Sequence, residues 1–305
     1  MIFITVLGAA AGGGFPQWNS NAVRCGRARN ADPLCPPQSQ TSLAISADQR
    51  HWFLLNASPD LRQQILSTPV LHPREGLRSS PIAGVVLTAA EVDTITGLLC
   101  LRERHELDLY AAPPVLDVLA ENPIFNALSS EFVTRHTIAT TVPSSLRLPD
   151  GQDSGLTATL FPVPGKVPLF LETAGQDVQS DEDVMGLDIS DGAKRMVFIP
   201  GCAHLTEAVR SRIADADLVF FDGTLWEDDE MIRAGLGPKT GRRMGHMPVS
   251  GEGSTIDAFA DISVGRKILI HINNSNPILD RASPEHAMVI AAGWDVAFDG
   301  MTVQL

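Results

Sequence analysis

Polar side chains stand where several apolar runs stop, and those positions are where chemistry is sought first. Asp93 lies just beyond the run ending at Leu87, and Cys202 and His204 lie beyond the run ending at Ile199. Asp222 closes Leu-Val-Phe-Phe, and His271 closes Ile-Leu-Ile. In α/β folds sites gather at the C-terminal ends of strands. One such residue is easily a turn former; the recurrence along one chain points to a site. Asp93, Asp222 and His271, with Glu91 and His246 nearby, mix oxygen and nitrogen donors, a set that suits iron(II), manganese or zinc. His246 sits in Met-Gly-His-Met and reads either as a ligand or acid–base group or as a surface-loop histidine. Cys202, directly after Pro200-Gly201, is a ligand or a buried small apolar side chain. Asn273 and Asn274 follow His271 and can hydrogen-bond a polar substrate, or form an Asx-rich turn before Pro277. Arg233, Lys239, Arg242 and Arg243 could hold substrate carboxylates, since a guanidinium grips a carboxylate through two parallel bonds; a solvated basic face is the plainer account.

Positioning these residues requires a strand–loop–helix rhythm, and the apolar patterning supplies one. Strands are expected at 2–7, 41–46, 52–55, 82–87, 108–111, 196–199, 218–221, 267–271 and 294–298. Ser58-Pro59 reads as a helix start, with the helix running to about Ser67. Further helices fit 97–103, a segment from about Pro114, 205–214, 254–260 and 283–292. Residues 16–40, rich in Asn, Arg and Pro, read as a long irregular loop, 135–179 as strands and turns, and 176–183 as an exposed acidic loop. Gly8, Gly12, Gly13 and Gly14 fit neither a P-loop nor a dinucleotide fingerprint, and are read as a turn beside a pocket.

Bulk properties narrow the classes of partner. The chain has 305 residues, 44% of them hydrophobic, enough for one sizeable α/β domain. With 23 basic and 36 acidic side chains the net charge is −13, which argues against nucleic acid, because such binding rests on cations that replace phosphate counterions. No apolar run approaches the roughly 18 residues of a membrane span. The N-terminal stretch has no basic region and is broken by glycines, so it does not read as a secretory signal. The four scattered cysteines, Cys25, Cys35, Cys100 and Cys202, read as free thiols. A cytoplasmic protein is expected.

The order of these residues resembles the metallo-β-lactamase superfamily, whose sign is Thr-His-x-His-x-Asp-His and then Gly-Leu. The matching stretch runs Leu87-Thr88-Ala89-Ala90-Glu91-Val92-Asp93-Thr94-Ile95-Thr96-Gly97-Leu98. Thr, Asp and Gly-Leu are kept; Ala89, Glu91 and Thr94 stand at the histidine positions. Pro200-Gly201-Cys202 matches the superfamily's Pro-Gly-His, Asp222 its bridging aspartate and His271 its last histidine. Longer strings are similar to the PqqB family of pyrroloquinoline quinone (PQQ) biosynthesis. They include Gly12-Gly13-Gly14-Phe15-Pro16-Gln17-Trp18-Asn19, Leu55-Asn56-Ala57-Ser58-Pro59-Asp60, Val163-Pro164-Gly165-Lys166-Val167-Pro168, Phe221-Asp222-Gly223-Thr224, Met244-Gly245-His246 and His271-Ile272-Asn273-Asn274-Ser275-Asn276-Pro277.

The resemblance implies one domain over residues 1–305, an αββα sandwich of two mixed sheets flanked by helices. It implies iron- and O₂-dependent hydroxylation of the tyrosine ring of a glutamate–tyrosine precursor, a small molecule or short peptide. Two other readings stay open: a non-catalytic carrier in transport of PQQ or its precursor to the periplasm, and a metallohydrolase of the same fold. The metal set it implies is Asp93, Asp222 and His271 with Glu91; His246 and Asp222 are the catalytic candidates, and Asn273, Asn274, Arg233 and Arg243 the substrate-binding ones. Thr94 replaces an imidazole, so iron or another divalent metal is expected to bind weakly. Family members carry a Cys-x-Cys-x-x-Cys cluster for a structural zinc; Ser20, Ala22 and Cys25 stand there, and no structural zinc is expected. A homodimer is left open.

Overall fold

The computed structural model describes residues 1–172 and 183–305. All but the last residue of the expected 176–183 loop, and the end of the 135–179 stretch, lie outside the described residues. The first six strands are β1 (Phe3–Gly8), β2 (Ser42–Ser46), β3 (Trp52–Leu55), β4 (Ile82–Val86), β5 (Leu107–Ala111) and β6 (Val133–Thr137). They form one sheet with the last strand, β14 (Thr302–Gln304), in the order β14-β1-β2-β3-β4-β5-β6. The second sheet holds β7 (Ser144–Arg147), β8 (Asp153–Pro162), β9 (Met185–Ser190), β10 (Arg195–Ile199), β11 (Ala216–Asp222), β12 (Val264–Ile270) and β13 (Asp295–Val296), in reverse chain order. Both sheets are mixed. β3 to β6 and β10 to β13 run parallel, and the remaining neighbours antiparallel.

Side chains alternate across each strand, so every strand buried on both faces feeds two apolar layers. Ile4, Val6, Leu43, Ile45, Phe198, Phe220 and Ile270 meet between the sheets. Ala44, Leu54, Val85 and Leu109 face outward under the helices of the first sheet. Val197, Val219, Phe221 and Leu269 do so under those of the second. The result is the αββα sandwich expected from the resemblance. Among the described residues no helix is long and apolar enough to cross a membrane.

Most expected strands form within a residue or two of their place, and the departures have local causes. The strand expected at 294–298 is only two residues long, β13. The helix expected at 97–103 is instead a short α-helix, Val92–Ile95, continued by a 3-10 turn, Thr96–Leu101. Gly97 accounts for the α-helix stopping at Ile95. Its N–H donates to Ala57 O at 2.9 Å, and a Cβ there would lie 2.0 Å from Ser58 O. The turn is thereby pressed against the end of β3. Gly97→Ala should cost about 1–3 kcal/mol, the usual penalty for overpacking, read as a lowered midpoint in urea unfolding. The helix expected from Ser58 begins at Leu61, because Ser58 Oγ donates to Gln64 Oε1 (3.0 Å) and accepts Asp60 N–H (3.3 Å) instead of capping.

Within the expected 16–40 loop lies a helix, Val23–Arg29. It has neither a capping side chain nor an acidic first turn. Tertiary contacts hold it: Cys25 and Ala28 are buried, and Arg27 pairs with Asp32 and Asp280.

Asp299 ties the exit of β1 to the strand that follows this loop, accepting Ala9 N–H at 3.1 Å and Ser39 N–H at 2.7 Å. Burial pushes its carboxyl up to about 6 from the ordinary 3.8, against those backbone bonds, which lower it. The folded chain therefore keeps this proton where the unfolded chain has lost it. Its stabilising contribution is complete below the unfolded value and is lost as pH rises through about 6. Urea unfolding between about pH 4 and pH 7 should show this fall, and Asp299→Asn should remove that component of the slope.

Candidate metal centre

The ends of β3, β4, β10, β11 and β12 open on one cavity of about 590 Å³, a volume usual for small-molecule sites. Asp222, the last residue of β11, is fully buried and is not itself a wall residue, but it bonds to Thr224 and His246, which are. Its Oδ2 accepts Cys202 N–H at 3.0 Å and is 2.8 Å from His246 Nδ1. Its Oδ1 accepts Thr224 N–H at 3.0 Å and Thr224 Oγ1–H at 2.6 Å. Buried carboxylates persist only when so bonded.

Thr224 joins the two histidines. Its Oγ1 is 3.1 Å from His246 Nδ1, 2.8 Å from His271 Nδ1 and 2.9 Å from His271 O. The hydroxyl has one proton, and both Asp222 Oδ1 and His271 O only accept. Its proton goes to Asp222 Oδ1, the shorter of those two contacts; the Nδ1–H of His271 donates to Thr224, and that of His246 to Asp222 Oδ2, its nearer partner. The two imidazole rings stack with centroids 5.1 Å apart. His271 takes a left-handed backbone, φ +60°, a conformation that side chains rarely adopt and that gathers at functional sites.

Asp93, in the short helix after β4, reaches His271 from the other sheet, with Oδ2 3.1 Å from Nε2. Burial works to raise its carboxyl, but the bond and charge of His271 outweigh it and hold it below the ordinary range. Burial likewise works to lower His271, and the bond to Asp93 with the charges of Asp93, Asp222 and Glu91 raises it overall.

The structure thus brings together Asp93, Asp222 and His271, as expected, and resolves His246 as a pocket residue. Asp222, His246 and His271 present ligand atoms all within 4.8 Å of one another. One carboxylate and two imidazoles fit a divalent transition metal. Gly201 packs closely under His246: a Cβ there would lie 3.2 Å from its Cε1.

The other expected residues divide between the cavity wall and other places. Glu91 lines the cavity but turns to Lys166 Nζ (3.4 Å) and not to the histidines; burial raises its carboxyl against the pull of that lysine. Arg233 does not reach the cavity; it pairs outside with Glu227 and with Asp229. Arg243 is exposed on the turn before His246 and is not a wall residue of the cavity. Lys166 and Lys239 supply the cations of the wall. Asn273 lines the cavity, whereas Asn274 is buried behind it, donating to Gln17 Oε1 at 2.7 Å. His204 is exposed. The Cys202 thiol is buried, donates to His204 O and is pushed up to about 12, first by burial and then by Asp222, so it is not a ready thiolate. Thr94 Oγ1 turns to Ala89 O (3.0 Å) and Glu91 O (2.8 Å).

Sequence reasoning missed Thr224 as a functional residue and the Asn56–Thr88 pair. Asn56 Nδ2 donates to Thr88 Oγ1 at 3.0 Å, and Asn56 Oδ1 accepts Thr88 N–H at 2.9 Å on the cavity wall. The available signal was that both Thr224 and Asn56 follow strand ends inside the longer strings.

Residues 51–272 match the family model described as Beta-lactamase superfamily domain. With the sandwich and the polar group at its strand ends, this makes the chain a metallo-β-lactamase-fold protein. The chain is 60% identical over 306 residues to Coenzyme PQQ synthesis protein B of Gluconacetobacter diazotrophicus, covering 99% of each. It is 55% identical to the protein of the same name from Gluconobacter oxydans, covering 100% of this chain and 99% of that one. It matches the crystal structure of Zn²⁺-bound PqqB from Methylobacterium extorquens with a TM-score of 0.95 and 48% identity, covering 99% of this chain and 100% of that one. The chain belongs to the coenzyme PQQ synthesis protein B family.

Proposed function

We propose that this chain works in PQQ biosynthesis as a metal-dependent hydroxylase of the tyrosine ring in a glutamate–tyrosine precursor, with residues 1–305 acting as one domain. The observation that carries the reading is the Asp222–His246–His271 group, whose two histidines line a cavity of about 590 Å³, large enough for a dipeptide-sized substrate. Bound there, iron would supply the O₂ chemistry associated with two imidazoles, one carboxylate and open positions. Asp222, His246 and His271 would hold it, His271 through the Nε2 that faces Asp93, and Asp93 would add a second carboxylate donor there.

The protein residues have further tasks. Asn273 and the Asn56–Thr88 pair offer polar groups to the substrate. Val92, Val184 and Met231 give the wall an apolar part against which a tyrosine ring can lie. Hydroxylation adds one oxygen of O₂ to a ring carbon, and reducing the other to water consumes two electrons and two protons from an external reductant.

The carrier reading draws support from Thr94, whose hydroxyl is committed to backbone carbonyls where an imidazole was expected. One experiment separates the two. The metal-free chain is loaded with iron(II) or with zinc, and O₂ uptake and ring-hydroxylated product are measured with Glu-Tyr and a reductant. The hydroxylase reading requires product in the iron form. Tight binding of Glu-Tyr with no product in any metal form would overturn it in favour of the carrier.

A further inference from the structure

Lys166 and Lys239 lie on separate loops and meet at one carboxylate. Lys166 Nζ donates to Glu172 Oε1 at 3.1 Å, and Lys239 Nζ to Glu172 Oε2 at 3.0 Å. Each oxygen of one carboxylate therefore holds one ammonium. The two bonds, Lys239 first and then Lys166, hold the Glu172 carboxyl below its ordinary range. Both lysines line the same cavity as His246 and His271, and Glu172 is not one of the wall residues. Among the described residues the rest of the wall's charge is acidic, from Asp93 and from Glu91, whose Oε1 also lies 3.4 Å from Lys166 Nζ.

Two ammonium groups drawn to one point repel unless an anion lies between them. Partly exposed pairs of this kind add little to stability, so folding alone is a weak reason for the arrangement. The side chains of Lys166, Lys239 and Glu172 are 22%, 36% and 26% exposed, which leaves Glu172 a route to water.

We propose that Lys166 and Lys239 form a carboxylate-binding subsite at the wall of the cavity, with Glu172 as a resident counter-ion that a substrate carboxylate displaces. The proposal deepens the hydroxylase reading and rests on it for the substrate class: an aromatic amino acid derivative whose carboxylate sits on the lysine pair while its ring points to the metal group. It also replaces the arginines in the role that the basic segment of the sequence suggested.

The test is calorimetric titration of the full-length chain, without O₂, with two probes: Glu-Tyr, and Gln-Tyr amide, which lacks both carboxylates. Lys239→Met or Lys166→Met should weaken Glu-Tyr binding about tenfold, in line with loss of one charge-assisted hydrogen bond, and leave Gln-Tyr amide within about twofold. Glu172→Gln should tighten Glu-Tyr several-fold, because the competing charge is gone, while leaving the amide unchanged. Equal losses for both probes, weaker binding in Glu172→Gln, or no binding of Glu-Tyr by the folded chain would overturn the subsite. Binding is read without turnover, so the outcomes separate. Charge-selective binding with no hydroxylation sinks the hydroxylase reading alone. Hydroxylation with no charge selectivity sinks the subsite alone.

Discussion

Thr224→Val is expected to weaken divalent metal binding by about 10- to 100-fold, the usual cost of losing a group that orients metal ligands, whereas Thr224→Ser should keep most of the affinity. Valine matches threonine in shape, so the change removes a hydroxyl and little else. That hydroxyl touches Asp222, His246 and His271 at once. Without it, Nδ1 of His271 loses its partner on the β11 side, and nothing fixes which ring nitrogen faces Asp93. The readout is competition with a chromophoric chelator for zinc and iron(II). Equal affinities for the valine and serine forms would show that the hydroxyl has no positioning role.

Asp222→Ala should have the largest effect on the fold and remove metal binding as well. The carboxylate accepts two backbone N–H groups, those of Cys202 and Thr224. Each buried donor left without an acceptor costs about 1–3 kcal/mol. Together they approach the whole stability of a domain at the lower end of the usual range, about 5 kcal/mol. Asp222→Asn keeps the shape and one oxygen, and should retain the fold better while still failing to hold metal. Urea unfolding and metal stoichiometry on both variants test the pair. A stable Asp222→Ala chain with a full complement of metal would contradict the assignment.

These residues differ in how far the sequence revealed them. Asp93, Asp222 and His271 were legible because a polar residue at the end of an apolar strand has few places to go in a parallel sheet. His246 was half legible: it lies on a loop, and what draws it in are Asp222 and Thr224, 24 and 22 positions away in sequence. Thr224 was hidden, since a threonine after a glycine is ordinary in a turn, and only the fold places it between two histidines. The basic segment was legible only at Lys239, which lines the cavity. Arg233 is consumed by Glu227 and Asp229 on its own loop and short helix, while Lys166, unremarked as a charge, comes from the loop after β8 into the cavity. Strand positions were legible from alternation. The turn at Gly97 was not, because its boundary is set by backbone atoms of residues 57 and 58.

The bond between His271 and Asp93 joins residues 178 positions apart, one from each sheet. An ion held by His271 and its neighbours therefore acts on a contact that exists only after the two sheets have docked. By linkage, a ligand bound only by the native chain adds about 2.7 kcal/mol at a concentration one hundred times its Kd. The melting temperature of this chain should then rise with the free concentration of metal, and chelation should act as a mild denaturant. Metal supply in the cell would thus set how much of the chain escapes proteolysis, making abundance itself a record of metal availability.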